Sequence, residues 1–279
     1  MRITDAHFHF WNEGMSVLHR VPADAGKVLY QDYTPATLRR CFDQKGVQDA
    51  VLVQVYNDHP GTEEFLSNAF HYDWIAGVVG WVDLASPDIG YILDRFQQNP
   101  KFKGVRHLWQ DEEDAAFMLR PEMMRGMKEL QRRGLPYDIC VKPWNWPYMQ
   151  QFVDELPDLP MVIDHIAKPR IFEKQFDEWV ELMDHMVQVP KMTVKLSGLV
   201  TEASWHRWEK QDFQPYVDYL LGTFGPDRLM YGSDWPVCLL SSDSYGMTFD
   251  LLQYLLRNVT DADQVKIMGQ TCRRFYGID

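Results

Sequence analysis

Eight short runs of β-branched and other apolar residues recur along the chain, and segments with helical spacing separate them. The predicted strands cover residues 2–9, 50–56, 75–83, 102–109, 135–142, 160–165, 192–198 and 228–234. Alternating strands and helices form parallel βαβ units, and eight such units in 279 residues predict an α/β fold, the (β/α)8 or TIM barrel. We expect residues 1–279 to form this barrel as a single domain.

Helix signals lie between the predicted strands. Thr34-Pro35 is an N-cap followed by a proline at the first helical position, and Gly46 can end that helix. Ser86-Pro87 has the same pattern, and Pro121 begins a segment that runs to Gly134. Apolar residues at helical spacing predict three more helices, within 171–189, 247–257 and 261–276.

The alternative to a barrel is an open, doubly wound parallel sheet. That fold usually carries a glycine-rich phosphate turn after its first strand. Here the first strand ends in His7-Phe8-His9-Phe10-Trp11, which contains no glycine. The barrel is therefore the favoured architecture.

Two histidines and two further polar residues fall at predicted strand ends. His7 and His9 project from the same face of the first strand, because side chains alternate along a strand, and together they can bind one metal ion or one polar reaction centre. His165 ends the sixth strand and Asp234 ends the eighth. Because barrel chemistry gathers at the carboxyl ends of the strands, we expect these four residues to meet.

Other polar and aromatic residues near strand ends are candidates for substrate binding. They are Arg106, His107, Trp109, Lys142, Lys195 and Trp235, with Lys168 as a further cation. Arg106 and His107 are neighbours on one strand and therefore point to opposite faces. The cations could orient hydroxyl groups or a carboxylate, or form solvated ion pairs. The tryptophans could stack on a sugar ring or simply pack.

Composition excludes several classes of partner. The formal charge of −12 argues against nucleic acid or an anionic membrane. No apolar run is long enough to span a bilayer, and the early residues lack the apolar region of a signal peptide, so we expect a cytoplasmic protein with a small-molecule substrate. An oligomer remains open. The four cysteines are widely spaced without a CxxC pair, which indicates neither a zinc knuckle nor a disulfide framework.

Four motifs together resemble one protein family. They are TDAHFHFW in the first strand, IDHIAKP at the end of the sixth, KLSGL in the seventh and YGSDWPV at the end of the eighth. In this order they are similar to the amidohydrolase superfamily, and more narrowly to its amidohydrolase-related branch of L-fucono- and L-rhamnono-lactonases and 2-pyrone-4,6-dicarboxylate lactonase. By position, His7 and His9 match the histidine pair of strand 1, His165 the later histidine, and Asp234 the aspartate that activates the hydrolytic water.

The resemblance implies a hydrolase that opens a small lactone, such as a sugar-acid lactone. Asp234 would be the general base, with His165 beside it in the catalytic centre. One zinc-like divalent ion on His7, His9 and Asp234 is implied for some members, and others work without a metal. Lys142 is nearest to the bridging lysine of two-metal members, but its Val-Lys-Pro-Trp context does not resemble that bridge, which argues against a second metal.

Two other functions stay open at this point. One is a metal-dependent decarboxylase of a small unsaturated or aromatic acid that uses the same residues. The other is a barrel that binds a small carbohydrate acid without turnover. The ring size and substituents of the substrate would depend on the loops 10–33, 56–62, 110–120 and 236–246. We find no sequence pattern in these loops that predicts specificity.

Overall fold

Eight parallel strands, hydrogen-bonded in chain order, form one sheet that closes on itself. The structure, a computed structural model, describes residues 1–11 and 26–279. The strands are β1 Ile3–Phe8, β2 Val47–Val53, β3 Ile75–Gly80, β4 Phe102–Leu108, β5 Tyr137–Cys140, β6 Met161–Ile163, β7 Met192–Leu196 and β8 Leu229–Tyr231. A bridge between Phe8 and Trp235 and a hydrogen bond of 2.7 Å from His9 N to Trp235 O join the two ends. The predicted (β/α)8 barrel is confirmed.

Helices cover the outside of the sheet. They are α1 Gly26–Leu29, α2 Pro35–Lys45, α3 His59–His71, α4 Ile89–Phe96, α5 Pro121–Arg133, α6 Trp146–Asp154, α7 Asp177–Met186, α8 Lys210–Thr223, α9 Tyr245–Leu255, α10 Asp261–Val265 and α11 Thr271–Tyr276. The predicted caps of α2 are confirmed, since the Thr34 hydroxyl accepts from Thr37 N and Gly46 ends the helix at φ 69°. Gly134 ends α5 in the same left-handed conformation, at φ 62°.

Two helix predictions differ from the structure. Ser86-Pro87 does not begin α4: the Ser86 hydroxyl accepts from Asp88 N in a separate turn, and the helix starts at Ile89. The predicted segment 171–189 is helical only from Asp177 to Met186, because Lys174 at φ 56° ends a preceding 3₁₀ turn.

The predicted last helix, 261–276, comprises α10, a π-helical turn at Lys266–Gln270, and α11.

The strands end earlier than the sequence predicted at the edge where the site lies. β6 stops at Ile163 and β8 at Tyr231, so His165 and Asp234 lie in the loops that follow. Polar backbone turns replace the sheet there, which lets side chains converge on the barrel axis. Residues 12–25, most of the predicted specificity loop 10–33, lie outside the described residues.

Apolar packing closes the opposite end of the barrel. A small buried cluster inside the sheet includes Val51, Val162 and Met230, and Tyr276 of α11 packs against it. A larger core lies between the sheet and the helices. Within residues 1–11 and 26–279, no helix is long and apolar enough to cross a membrane. The interior is therefore open to ligands at the carboxyl ends of the strands.

Candidate active site

An open cavity of about 380 Å³ lies at the carboxyl ends of the strands. Its described lining is His9, Trp11, Leu29, Val55, Arg106, Leu108, Gln110, Asp111, Cys140, Lys142, His165, Lys168, Thr201, Glu202, Trp205, Asp234, Val237 and Leu240. The volume is that of a site for a small molecule, and its place is where barrel enzymes carry their chemistry.

Three ring and carboxylate atoms converge at the floor of this cavity. Nε2 of His7 and Nε2 of His9 are 3.2 Å apart. Oδ1 of Asp234 lies 3.4 Å from His9 Nε2 and 3.7 Å from His7 Nε2. Nδ1 of His9 is 2.7 Å from the Val53 carbonyl, which can only accept, so Nδ1 carries the proton and Nε2 turns a lone pair to the cavity.

This donor set fits a zinc-like ion. Four ligands at about 2.1 Å from a tetrahedral zinc are about 3.4 Å from one another, and the three observed separations match that spacing. Burial lowers the pKa of His7, His9 and His165, that of His165 to about 4, so all three rings are neutral at neutral pH. Neutral imidazole nitrogens and a carboxylate are the ligands that such an ion takes.

The tautomer of His7 depends on a buried ion network below the cavity. Its Nδ1 lies 3.3 Å from Asp164 Oδ1 and 3.2 Å from Lys195 Nζ. When Nδ1–H donates to Asp164, Nε2 offers a lone pair to an ion. When Nδ1 instead accepts from Lys195, Nε2–H donates to the His9 lone pair. The residues beneath the site therefore support either a metal-loaded or a metal-free centre.

The charges of this network are balanced. Lys195 Nζ donates to Asp138 Oδ2 at 2.5 Å and pairs with Asp164 Oδ1 at 3.0 Å. Arg106 Nη1 pairs with Asp164 Oδ2 at 2.9 Å, and the Tyr276 hydroxyl donates to Asp138. Burial favours the neutral form of Lys195, but the two carboxylates outweigh it and raise the pKa of that lysine. Two acids thus match two cations in the barrel interior.

Asp5 of β1 holds the ends of β1 and β8 together. Its buried Oδ1 accepts from His7 N at 3.0 Å and from Ser233 N at 2.9 Å. Asp234 N donates to the His7 carbonyl at 2.8 Å, with Asp234 at φ 55°. This left-handed backbone aims the carboxylate at the histidines. Burial opposes ionisation of Asp234, but the surrounding histidine rings hold the pKa of its carboxyl below the usual value.

A left-handed turn without glycine places His165 and Lys168. Four consecutive residues, 165–168, have φ between 49° and 65°. Such backbone costs about 1–2 kcal/mol per residue, and strain of this kind clusters at functional sites. The indoles of Trp179 and Trp146 donate to the carbonyls of Ile166 and Ala167, which holds the turn in place.

The His165 ring is fixed on both sides. Its Nδ1 is 2.9 Å from Ser197 Oγ, and its Nε2 is 3.8 Å from Asp234 Oδ1. A Cβ added at Gly198, which has φ 61°, would lie 2.7 Å from the His165 ring. Only glycine fits at Gly198 while the ring keeps this position.

The structure brings most of the predicted site residues together. His9, His165, Asp234, Arg106 and Lys142 line the cavity, and His7 lies directly beneath His9.

Four predicted substrate-binding residues do not reach the cavity, and we correct those predictions. His107 faces the outer side of β4, where it accepts from the Trp81 indole at 3.0 Å and contacts Glu112 Oε1 at 2.6 Å. Trp109 is fully buried, and its indole donates to Ala115 O. Lys195 is fully buried in the ion network, and Trp235 packs at 5.1 Å against Tyr33.

Several cavity residues were missed. Glu202, Trp205 and Asp111 lie in loops whose sequence carries no periodic signal. We assigned no role to Asp164 from the sequence, although it pairs with both buried cations. Two buried cations, Arg106 and Lys195, at predicted strand ends were the available signal that a buried acid must lie nearby.

A parallel (β/α)8 barrel with paired histidines at the carboxyl end of β1 and an aspartate after β8, facing one cavity, defines a class of hydrolytic barrel enzymes. The amidohydrolase family model matches residues 4–278, and the chain belongs to that family.

Curated relatives and a solved structure are similar to this chain over nearly its whole length. L-fucono-1,5-lactonases of Burkholderia ambifaria and Burkholderia multivorans are each 32% identical, covering 99% and 98% of this chain and 95% of each relative. The crystal structure of an amidohydrolase from Burkholderia multivorans with bound zinc is 31% identical and superposes with a TM-score of 0.93 over 100% of both chains.

Proposed function

We propose that this protein hydrolyses a small sugar-acid lactone, with Asp234 as general base. The observation that supports it most directly is the convergence of the Asp234 carboxylate with His7, His9 and His165 on the floor of a cavity of about 380 Å³, which is large enough for a small lactone. The likeness to L-fucono-1,5-lactonases over nearly the whole chain supports the substrate class.

Lactone opening needs a base for the attacking water and positive charge at the carbonyl oxygen. Asp234, ionised and facing the cavity, would take the proton of the water and return it to the ring oxygen as that oxygen leaves. His165 can donate from Nε2 to the carbonyl oxygen when its Nδ1 accepts from the Ser197 hydroxyl. Arg106 adds a fixed positive charge at the cavity wall.

His7, His9 and Asp234 would hold a divalent ion where one is bound. Such an ion supplies a polarised carbonyl and a more acidic water. Without it, Arg106 at the cavity wall and His165 Nε2–H supply the hydrogen-bond donors for the carbonyl oxygen. A lactone is more reactive than an amide, so either state is chemically adequate.

The experiment is a panel of sugar-acid 1,4- and 1,5-lactones in a pH-indicator assay, with protein of measured metal content. We expect at least one lactone to be hydrolysed, and Asp234→Asn to lower kcat by about 10³-fold or more, as loss of a general base does. Asp218→Asn on exposed α8 is the control. Release of carbon dioxide from an unsaturated or aromatic acid would contradict the proposal and indicate a decarboxylase. Binding of lactones without turnover would contradict it and indicate a non-catalytic barrel.

A further inference from the structure

The outer wall of the cavity carries matched charges. Lys142 and Lys168 line it together with Asp111 and Glu202. Arg106, the remaining cation of the lining, is paired with Asp164 below the floor. The described lining of the cavity therefore carries two ammonium groups and two carboxylates in addition to Arg106 and the histidine centre.

These groups lie close enough to influence one another. Burial raises the pKa of Glu202, and the charges of Lys168 and Lys142 oppose that rise. Lys168 is held toward the cavity by the left-handed turn, and Lys142 Nζ lies 5.0 Å from the Trp144 ring. Among the described residues, neither lysine forms an ion pair within 4.0 Å, and both act on Glu202 at longer range.

The chemistry of this wall suits hydroxyl groups. A hydroxyl donates one hydrogen bond and accepts others, so a carboxylate and an ammonium side by side can satisfy it fully. Trp205 supplies aromatic surface for the apolar face of a ring. A carboxylate substituent would instead meet Glu202 at close range in a buried setting, where repulsion between like charges is weakly screened.

We propose that Glu202, flanked by Lys142 and Lys168, selects lactones with neutral hydroxyl substituents and excludes lactones that carry a carboxylate; this rests on the proposed lactonase function. Glu202 is then a specificity-determining residue of the same site. It contacts the substrate away from the carbonyl, so it affects KM more than kcat.

The test compares two lactones of one ring size. The first is a neutral aldonolactone, and the second is an aldaric acid monolactone with a carboxylate in place of the terminal carbon group. Wild type should favour the neutral lactone. Glu202→Gln should lower the ratio of kcat/KM, neutral over carboxylated, by about tenfold or more, since a charge-assisted hydrogen bond is lost and a repulsion is removed.

Two further variants make the result decisive. Lys168→Met should move the same ratio in the opposite direction, because it removes the positive charge that offsets Glu202. Glu181→Gln on exposed α7 should leave the ratio unchanged. Ratios within twofold of wild type for both Glu202→Gln and Lys168→Met would overturn the inference while lactonase activity stands. A wild-type enzyme that opens neither lactone nor any other of the panel would overturn the proposed function itself.

Discussion

His9 and His107 are both buried histidines near the carboxyl ends of barrel strands, yet their ring nitrogens have opposite surroundings. His107 has a protein partner on each nitrogen: the Trp81 indole donates to Nδ1, and Glu112 lies against Nε2. In His9 only Nδ1 is used in this way, by the Val53 carbonyl. Its Nε2 faces His7 Nε2 and the Asp234 carboxylate at the cavity floor.

The difference teaches that burial alone does not identify a functional histidine. A ring with both nitrogens satisfied by fixed partners is a structural crosslink, here between the loops after β3 and β4. A ring with one nitrogen anchored and the other turned to a cavity among further acceptors is arranged for a proton or a metal. Substitutions at the two positions should therefore separate activity from stability.

The largest effect on activity is expected at His9. His9→Gln removes the lone pair aimed at Asp234 and should lower kcat/KM on the best lactone by about 10³-fold. The midpoint of thermal unfolding should change little, since the ring lies at the cavity floor rather than in the apolar core. Steady-state kinetics and calorimetry on one preparation check both parts. Near wild-type turnover would show that His9 takes no part in the chemistry.

The sequence was sufficient to predict the barrel and the four residues that converge at its site. Eight apolar runs separated by helical patterns specify the barrel, and the carboxyl-end rule then brings His7, His9, His165 and Asp234 together. Strand alternation also predicts that Arg106 and His107 face opposite sides, which the structure confirms, since Arg106 lines the cavity and His107 does not. The choice of which face is the interior needed tertiary information.

The remaining parts of the site depend on backbone that sequence patterns do not encode. The left-handed turn at 165–168 contains no glycine, so nothing in IDHIAKP predicts it. It exists because two tryptophan indoles on other elements hold its carbonyls. Glu202 and Trp205 lie in an irregular loop, and their place at the cavity follows from the packing of that loop alone.

The position of the His165 ring depends on the absence of a side chain at Gly198, so a substitution at Gly198 tests how much activity depends on that position. Gly198→Ala would place a methyl group 2.7 Å from the His165 ring and a side chain at φ 61°. We expect kcat/KM to fall by roughly 10- to 100-fold and the free energy of unfolding by about 1–3 kcal/mol, because the ring or the backbone must shift.

Gly222 is the matched control for this substitution. It lies in α8, and a Cβ added there has nothing within 4 Å. Gly222→Ala should leave activity unchanged and stabilise the helix by about 0.5–1 kcal/mol. Equal effects of the two alanines on kcat/KM would show that the position of the His165 ring is not critical.

The smallest effect on activity is expected at His107. His107→Phe keeps the ring that stacks at 5.3 Å on Phe117 but removes both hydrogen bonds, leaving the Trp81 indole without its acceptor. The free energy of unfolding should fall by about 2 kcal/mol, while kcat/KM stays within about tenfold of wild type. Glu112→Gln, which still accepts from Nε2–H, should cost less than half as much. A loss of turnover at His107→Phe as large as that at His9→Gln, with stability unchanged, would reverse the roles assigned to the two histidines.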